Sequence, residues 1–220
     1  KINKNIQLKT IRDQTMAFTK TILLTITLVL ASHAAYKYFR RKPKRRLKIN
    51  DVIMFSNKNS EFKSSKYLKQ SLTESVERLF NYLSSSCHSL DICMYVLTNS
   101  EITNIIIKQH LRGVKIRVIL DADMAFSSGS TVKRLEKHGI HVRWMKATEI
   151  MHNKYCIIDG AATEDCIPFV MTGSLNWTNQ ALYRNWENVL VTSQKHIVYL
   201  YKVEFEKMWE QFKPIVKIGR

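Results

Sequence analysis

Proline and glycine are scarce in this chain, three and six among 220 residues, and residues 50–213 contain neither a low-complexity linker nor an internal repeat. The length suits one well-cored domain plus an appendage and is too short for two large domains. Cysteine is sparse as well. Cys87, Cys93, Cys156 and Cys166 make no C-x-x-C pair and fall short of the density of a secreted disulfide scaffold. Free, mostly buried thiols are the expectation. Cys87, His88 and Cys93 offer three metal ligands, but adjacent ligands without a second cluster make a poor tetrahedral site, and no metal is expected there.

Acidic residues are nearly absent from the first 48 positions, which hold thirteen Lys/Arg against Asp13 alone. The remaining residues carry 22 Lys/Arg and 17 acids. The formal charge of +17 is thus concentrated at one end, and the rest of the chain is only mildly basic. Inside the basic region lies a segment without formal charge, Thr21 to Ala35, extended by Tyr36, Tyr38 and Phe39. A span from Phe18 to Phe39 with Lys20 and Lys37 near the two surfaces is long enough for a bilayer. Lys37, Arg40, Arg41, Lys42, Lys44, Arg45, Arg46 and Lys48 follow it, and positive flanks are retained on the cytoplasmic side, which argues against a cleaved signal peptide. The expected division is an N-terminal segment 1–17, a transmembrane signal anchor 18–39, a basic linker 40–49, a domain 50–213 and a tail 214–220, with Met16 an expected alternative start. Topology is the first reading of the basic run, ahead of anionic lipid binding and nucleic-acid capture.

Short β-branched runs alternate with amphipathic helices after Pro43. Strands are expected at 51–55, 90–97, 114–121, 141–145, 152–159, 167–172 and 187–192, and helices at 65–83, 100–112, 131–138 and 196–212. In the first helix Leu68, Leu72, Val76, Leu79 and Leu83 recur at three or four residues and make one apolar stripe. Gly113 and Gly139 follow two of the helices, where glycine closes a left-handed cap. The alternation predicts an α/β domain with helices on both faces of a central sheet.

The sharpest motif is His152-x-Lys154-x4-Asp159, followed by Gly173-Ser174-x-Asn176. Residues two apart on a strand share a face, so His152 pairs with Lys154, and Ser174 with Asn176. Convergence of the two pairs places a nucleophile, a cation and two neutral hydrogen-bonding groups together. That set suits a phosphodiester, whose transition state spreads negative charge that a lysine and neutral donors stabilise without a metal or other cofactor. Neutral imidazole attacks phosphorus directly. Lys154, Ser174 and Asn176 are then the phosphate-binding residues, and Glu187 is a candidate to accept the other ring proton of His152. Asp159, beside Gly160, either joins the catalytic set or anchors a turn.

These residues resemble the signature of the phospholipase D superfamily, and one such motif behind an N-terminal anchor resembles its Zucchini, or mitochondrial cardiolipin hydrolase, family. The resemblance covers about residues 50–213. It implies a mixed β-sheet sandwiched between helices, a phosphohistidine intermediate with His152, Lys154 and Asp159 in the catalytic set, and an outer mitochondrial membrane address with the domain in the cytosol. Many members carry a Cys/His zinc insert after the first strand, but Ser56 to Lys66 contains neither residue type, so that insert is missing.

The reaction needs a neutral nucleophile and a protonated acid, hence two histidines in opposite states. One motif supplies one histidine. His141-Val142-Arg143 has Arg for Lys and Thr148 where Asp is required, so a homodimer pairing two His152 residues is expected. Two substrate classes fit. The leading reading is single-stranded RNA, cut by an endoribonuclease leaving 5′-phosphate ends in piRNA biogenesis, as the resemblance implies; the alternative is cardiolipin, cleaved to phosphatidic acid. A catalytically silent membrane scaffold is a third reading, weakened by the intact motif. An exposed apolar surround favours lipid, whereas Lys133, Arg134, Lys137, Arg143, Lys146 and Arg184 favour nucleic acid. Asp121-Ala-Asp123 is expected to cap a turn rather than bind Mg²⁺. Trp144, Trp177 and Trp186 are expected to pack in or beside the core rather than stack bases.

Overall fold

A computed structural model describes residues 2–40, 48–56, 66–145, 148–160 and 165–212. The backbone divides into two units, 1–46 and 47–220.

The first unit is a single helix, α1 (Ile2–Arg40). Its stretch Arg12–Tyr38 is long and apolar enough to cross a membrane, and none of it is buried within the protein. Thr19, Thr21, Thr25 and Thr27 each return their hydroxyl to a backbone carbonyl one turn earlier, which satisfies those polar atoms without water. The helix begins well before Phe18, so the apolar span is its middle and end rather than a separate element. The linker residues 41–47 lie outside the described residues.

The second unit is a seven-stranded sheet between helices. Its elements in chain order are β1 (Asn50–Phe55), α2 (Lys66–Ser84), β2 (Ser89–Met94), α3 (Ser100–Leu111), β3 (Lys115–Leu120), α4 (Ala122–Ala125), α5 (Val132–Lys137), β4 (His141–Arg143), β5 (Lys154–Ile158), β6 (Phe169–Gly173), α6 (Asn179–Tyr183), β7 (Glu187–Thr192) and α7 (Lys195–Gln211). The strand order is β1-β7-β6-β5-β2-β3-β4. β2, β3 and β4 run parallel, and every other pairing is antiparallel. The motif strand β5 is the middle strand, where the parallel half meets the antiparallel half.

Alternation along the strands builds two cores. Leu90, Ile92 and Met94 of β2, Ile116, Val118 and Leu120 of β3, and Cys156 and Ile158 of β5 face α2 and α3. Their odd-numbered neighbours Cys93, Ile119, Tyr155 and Ile157 face Phe205, Met208 and Trp209 of α7. The apolar stripe expected on the first helix is realised by buried Val76, Leu79 and Leu83, with the Leu68 and Leu72 side chains outside the described residues. α3 starts where the Asn99 side chain accepts the Ile102 N–H at 2.7 Å and stops at Gly113, whose φ of +93° suits glycine.

Four expectations need adjustment. β2 ends at Met94 rather than Leu97, because the chain leaves the sheet there and Leu97 forms an isolated bridge to Trp177. β4 is three residues long. β5 begins at Lys154, so His152 stands on the segment leading into the strand. The short helices α4 and α6 give too few residues for a periodic signal and were not expected. Residues 57–65, within the segment Ser56 to Lys66 that lacks the zinc insert, lie outside the described residues.

Candidate active site

The antiparallel entry of β5 decides where the chemistry gathers. The carboxyl ends of β2, β3, β4, β6 and β1 and the amino ends of β5 and β7 meet at one edge, as the pairs Met94–Lys154, Gly173–Val189 and Phe55–Glu187 record. His152, Lys154, Ser174, Asn176 and Glu187 all lie there. In open α/β sheets this kind of edge, at a change of strand direction, is where ligands bind.

His152 is exposed, and the residue before it is pinned twice. The Met151 N–H donates to the Asp121 carboxylate at 3.0 Å, and its side chain is buried against Cys93. Asp121 also caps α4 by accepting the N–H groups of Asp123 and Met124, so the expected capping role holds and carries a further one, positioning the His152 segment. The imidazole packs against the Tyr95 ring with centroids 4.7 Å apart. Lys154 Nζ lies 5.2 Å from the centroid of the same ring and donates to the His152 carbonyl at 2.8 Å. Partial burial holds the Lys154 pKa below the ordinary lysine value, against the opposing pull of the Glu187 charge.

Gly173 explains the first letter of the second motif. A Cβ there would sit 2.0 Å from the Asn188 carbonyl oxygen, so only glycine permits β6 and β7 to approach this closely. The following residue closes the pair reciprocally: the Ser174 N–H donates to the Asn188 carbonyl, and the Asn188 N–H donates to Ser174 Oγ, both at 3.1 Å. Ser174 Oγ donates to Glu187, whose other oxygen accepts from Asn185 at 3.0 Å. Asn176 Oδ1 is buried and has no partner among the described residues, an unspent polar atom two positions after Ser174.

Two members of the expected set sit differently. Glu187, the candidate partner for the His152 ring, instead holds Ser174 and Asn185 while facing Lys154; Tyr95 takes the place beside the imidazole. Asp159 lies at the opposite end of β5, ~16 Å along the strand from Lys154 at ~3.3 Å per residue. Its carboxylate, 3% exposed, accepts the N–H groups of Cys87, His88 and Ser89 at 2.7–3.1 Å. It ties the end of β5 to the start of β2 and does not reach the His152 edge. Tyr95, Asp121 and Asn185 carry no motif; Tyr95 falls inside the expected strand 90–97 and Asp121 ends the expected strand 114–121, and only the shorter observed strands leave both residues just beyond a carboxyl end.

The other histidines of this unit lie at the far edge, since His88, His110, His138 and His141 precede the amino ends of β2, β3 and β4 or begin β4, and His196 follows β7. The site as described holds a single histidine. Around it, Phe126 and Ile150 are each 60% exposed, and Trp186, expected to pack in or beside the core, is 69% exposed, whereas Trp144 and Trp177 are buried as expected. Beside His152 a cleft of about 610 Å³ opens toward the end of α7, lined by Met145, Ile150, Met208 and Phe212 together with Glu149 and Glu204. Arg143 is drawn away, stacked 4.0 Å over Trp209 and donating to its carbonyl. Arg134 is hydrogen-bonded to Asn104. Lys133, Lys137 and Arg184 are exposed, and Lys146 lies outside the described residues.

Residues 79–209 match the family profile described as cardiolipin synthase, phospholipase D-like domain. The chain belongs to the phospholipase D-like family. Within it, the chain is 37% identical to a mitochondrial cardiolipin hydrolase of Chlamydomonas reinhardtii over 139 residues, 63% of this chain and 59% of that one. The Homo sapiens protein of the same description is 38% identical over 139 residues, 63% of this chain and 52% of that one. The matched region thus spans between half and three fifths of these two relatives. The Drosophila melanogaster protein, similarly described, is 29% identical with 94% of each chain covered. Among solved structures, NucT from Helicobacter pylori superposes with a TM-score of 0.62 at 24% identity, over 77% of this chain and all of that one. The phospholipase D family member Nuc from Salmonella typhimurium gives 0.60 at 19%, over 76% and 97%. These two share the fold.

Proposed function

We propose that this phospholipase D-like protein is a membrane-anchored phosphodiesterase that hydrolyses a phospholipid of the cardiolipin class. The reaction rests on one arrangement: His152, Lys154, Ser174 and Asn176 share a sheet edge with an open approach. A ring nitrogen of His152 attacks phosphorus, the bond from phosphorus to the leaving oxygen breaks, and water then cleaves the phosphohistidine. Lys154, the Ser174 hydroxyl and the Asn176 amide N–H bind the phosphoryl oxygens by donating to them. Asp159 holds the strand and takes no part in bond making.

Substrate class follows from the surround. Phe126, Ile150 and Trp186 present exposed apolar surface at the site edge, and the adjoining cleft has apolar walls in Met145, Ile150, Met208 and Phe212. Two of the six cations that favoured nucleic acid, Arg134 and Arg143, are engaged elsewhere. This reverses the ranking expected from sequence, in the direction of the substrate for which the relatives are named. Their description as mitochondrial, together with the basic residues after α1, supports a mitochondrial outer-membrane address with the domain on the cytosolic side. A single-strand nuclease is the second reading, favoured by exposed Lys133 and Arg184 and a Trp186 able to stack on a base.

A protonated imidazole for the leaving oxygen is still required, and the far-edge placement of the other domain histidines supports a homodimer with two His152 at one composite site. The full chain, reconstituted in liposomes with EDTA, is offered cardiolipin and labelled single-stranded RNA. Release of phosphatidic acid is expected, reduced at least ~10³-fold by His152→Ala. RNA cleavage without lipid turnover would overturn the substrate assignment, and lipid turnover unaffected by His152→Ala would overturn the mechanism.

A further inference from the structure

The far edge of the sheet holds a second cluster with ligand chemistry of its own. Cys87 is exposed, Cys166 is half-buried and Asp159 is buried, and one ligand atom from each lies within 4.8 Å of the other two. They come from three separate segments: the turn between α2 and β2, the end of β5, and the connection from β5 to β6. Cys93 and Cys156 are fully buried in the two cores and separate from this group. β2 carries Cys93 into the α7 core, away from Cys87.

We propose that Cys87, Cys166 and Asp159 form a binding site for a zinc-class divalent cation. Two thiolates and a carboxylate suit a borderline-soft ion, and tetrahedral Zn–S and Zn–O bonds of ~2.3 and ~2.0 Å require ligand atoms ~3.3–3.8 Å apart. Separations of up to 4.8 Å need a closure of ~1–1.5 Å at most, within reach of the Cys87 and Cys166 side chains. Asp159 is already oriented: Oδ1 accepts the N–H groups of Cys87, His88 and Ser89, while Oδ2 accepts only Cys87 N–H, at 3.1 Å. That leaves an Oδ2 lone pair for a metal, with the backbone donors acting as the outer shell that holds a metal-binding carboxylate in place. The fourth position is open to water. Binding releases the two thiol protons and forms two metal–sulfur bonds and one metal–oxygen bond, with no change of oxidation state. The ion would clamp the β5–β6 connection to the α2–β2 turn, at the end of the motif strand remote from His152.

The test uses the full chain in detergent with a phosphine reductant, stripped of metal and titrated with Zn²⁺ against a chromophoric competitor. Cd²⁺ serves as a spectroscopic probe of thiolate ligation. One zinc per chain, a thiolate-to-cadmium absorption band and a thermal midpoint raised by zinc are expected for the native chain. All three should vanish in Cys87→Ser and Cys166→Ser, while the metal-free variants melt as the metal-free native chain does, which separates lost binding from lost folding. Zinc binding retained in the double variant, or absent from the reduced native chain, would overturn the proposal. So would isolation of the pair only as a disulfide that resists the reductant.

Discussion

Lys154 is the residue whose environment makes the sharpest prediction. Its pKa is lowered by burial, so the ammonium loses its proton at a lower pH than an ordinary lysine, ~10.4. If the cation binds the phosphoryl oxygens, the alkaline limb of a kcat/KM profile falls below that pH. Glu187 opposes the shift; Glu187→Gln is therefore expected to move the limb to still lower pH, read from the same profile. Asp159 makes the contrasting case. Asp159→Ala removes the acceptor for three backbone N–H groups and is expected to cost ~2–4 kcal/mol in denaturant unfolding. The fraction that remains folded should keep its kcat, because the carboxylate is remote from His152. Asp159→Asn, which keeps one acceptor oxygen and tolerates the positive φ of 53°, should cost less. The motif made His152, Lys154 and Asp159 legible as a group but not as two functions, because a spacing of five residues along a strand places its ends at opposite edges of the sheet.

At the scale of elements, β6 and β7 form the floor under Ser174, and their close approach depends on Gly173. Gly173→Ala is expected to force the strands apart, with a loss of ~1–3 kcal/mol or more in thermal unfolding and a fall in kcat/KM as Ser174 and Asn176 shift. A second joint holds α7 to the sheet. Arg117 of β3 pairs with Asp91 of β2 through two hydrogen bonds of 2.7 and 2.9 Å, and with Glu206 of α7 at 2.8 and 2.9 Å. Phe205 and Trp209 cover the guanidinium. Burial raises the Asp91 pKa while Arg117 pulls it down, so removing the partner would strand a buried carboxylate. Arg117→Ala is expected to cost ~3–5 kcal/mol in urea unfolding. Periodicity revealed the long elements, whose stripes and alternations run for several turns or pleats. It missed α4 and α6 because four or five residues present no complete stripe, and their stability comes from the caps Asp121 and Thr178.

For the whole molecule, the single histidine at the site edge is the ground for the proposed homodimer, and that proposal has a kinetic consequence. If two His152 residues form each composite site, mixing native and His152→Ala chains before reconstitution should lower activity as the square of the native fraction. A linear decline would show that one chain suffices. The concentration of positive charge around α1, against a nearly balanced domain, also predicts that truncating the helix abolishes lipid turnover on vesicles through loss of tethering. Turnover of a detergent-dispersed lipid should change far less.

The linear order of residues determined the apolar span, the alternation of strands with helices, and the identity of the chemical groups at 152, 154, 174 and 176, because each is written in local spacing. Strand order is a different kind of fact. Only the tertiary structure set β5 between β2 and β6, running against β2, and thereby gathered His152, Ser174 and Glu187 at one edge while sending Asp159 to the other. It alone put Tyr95 beside His152, drew Arg143 away to Trp209, and left Phe126, Ile150 and Trp186 exposed around the site. These relations join residues far apart in sequence, and such pairings are selected by the burial of whole faces and not by any local pattern.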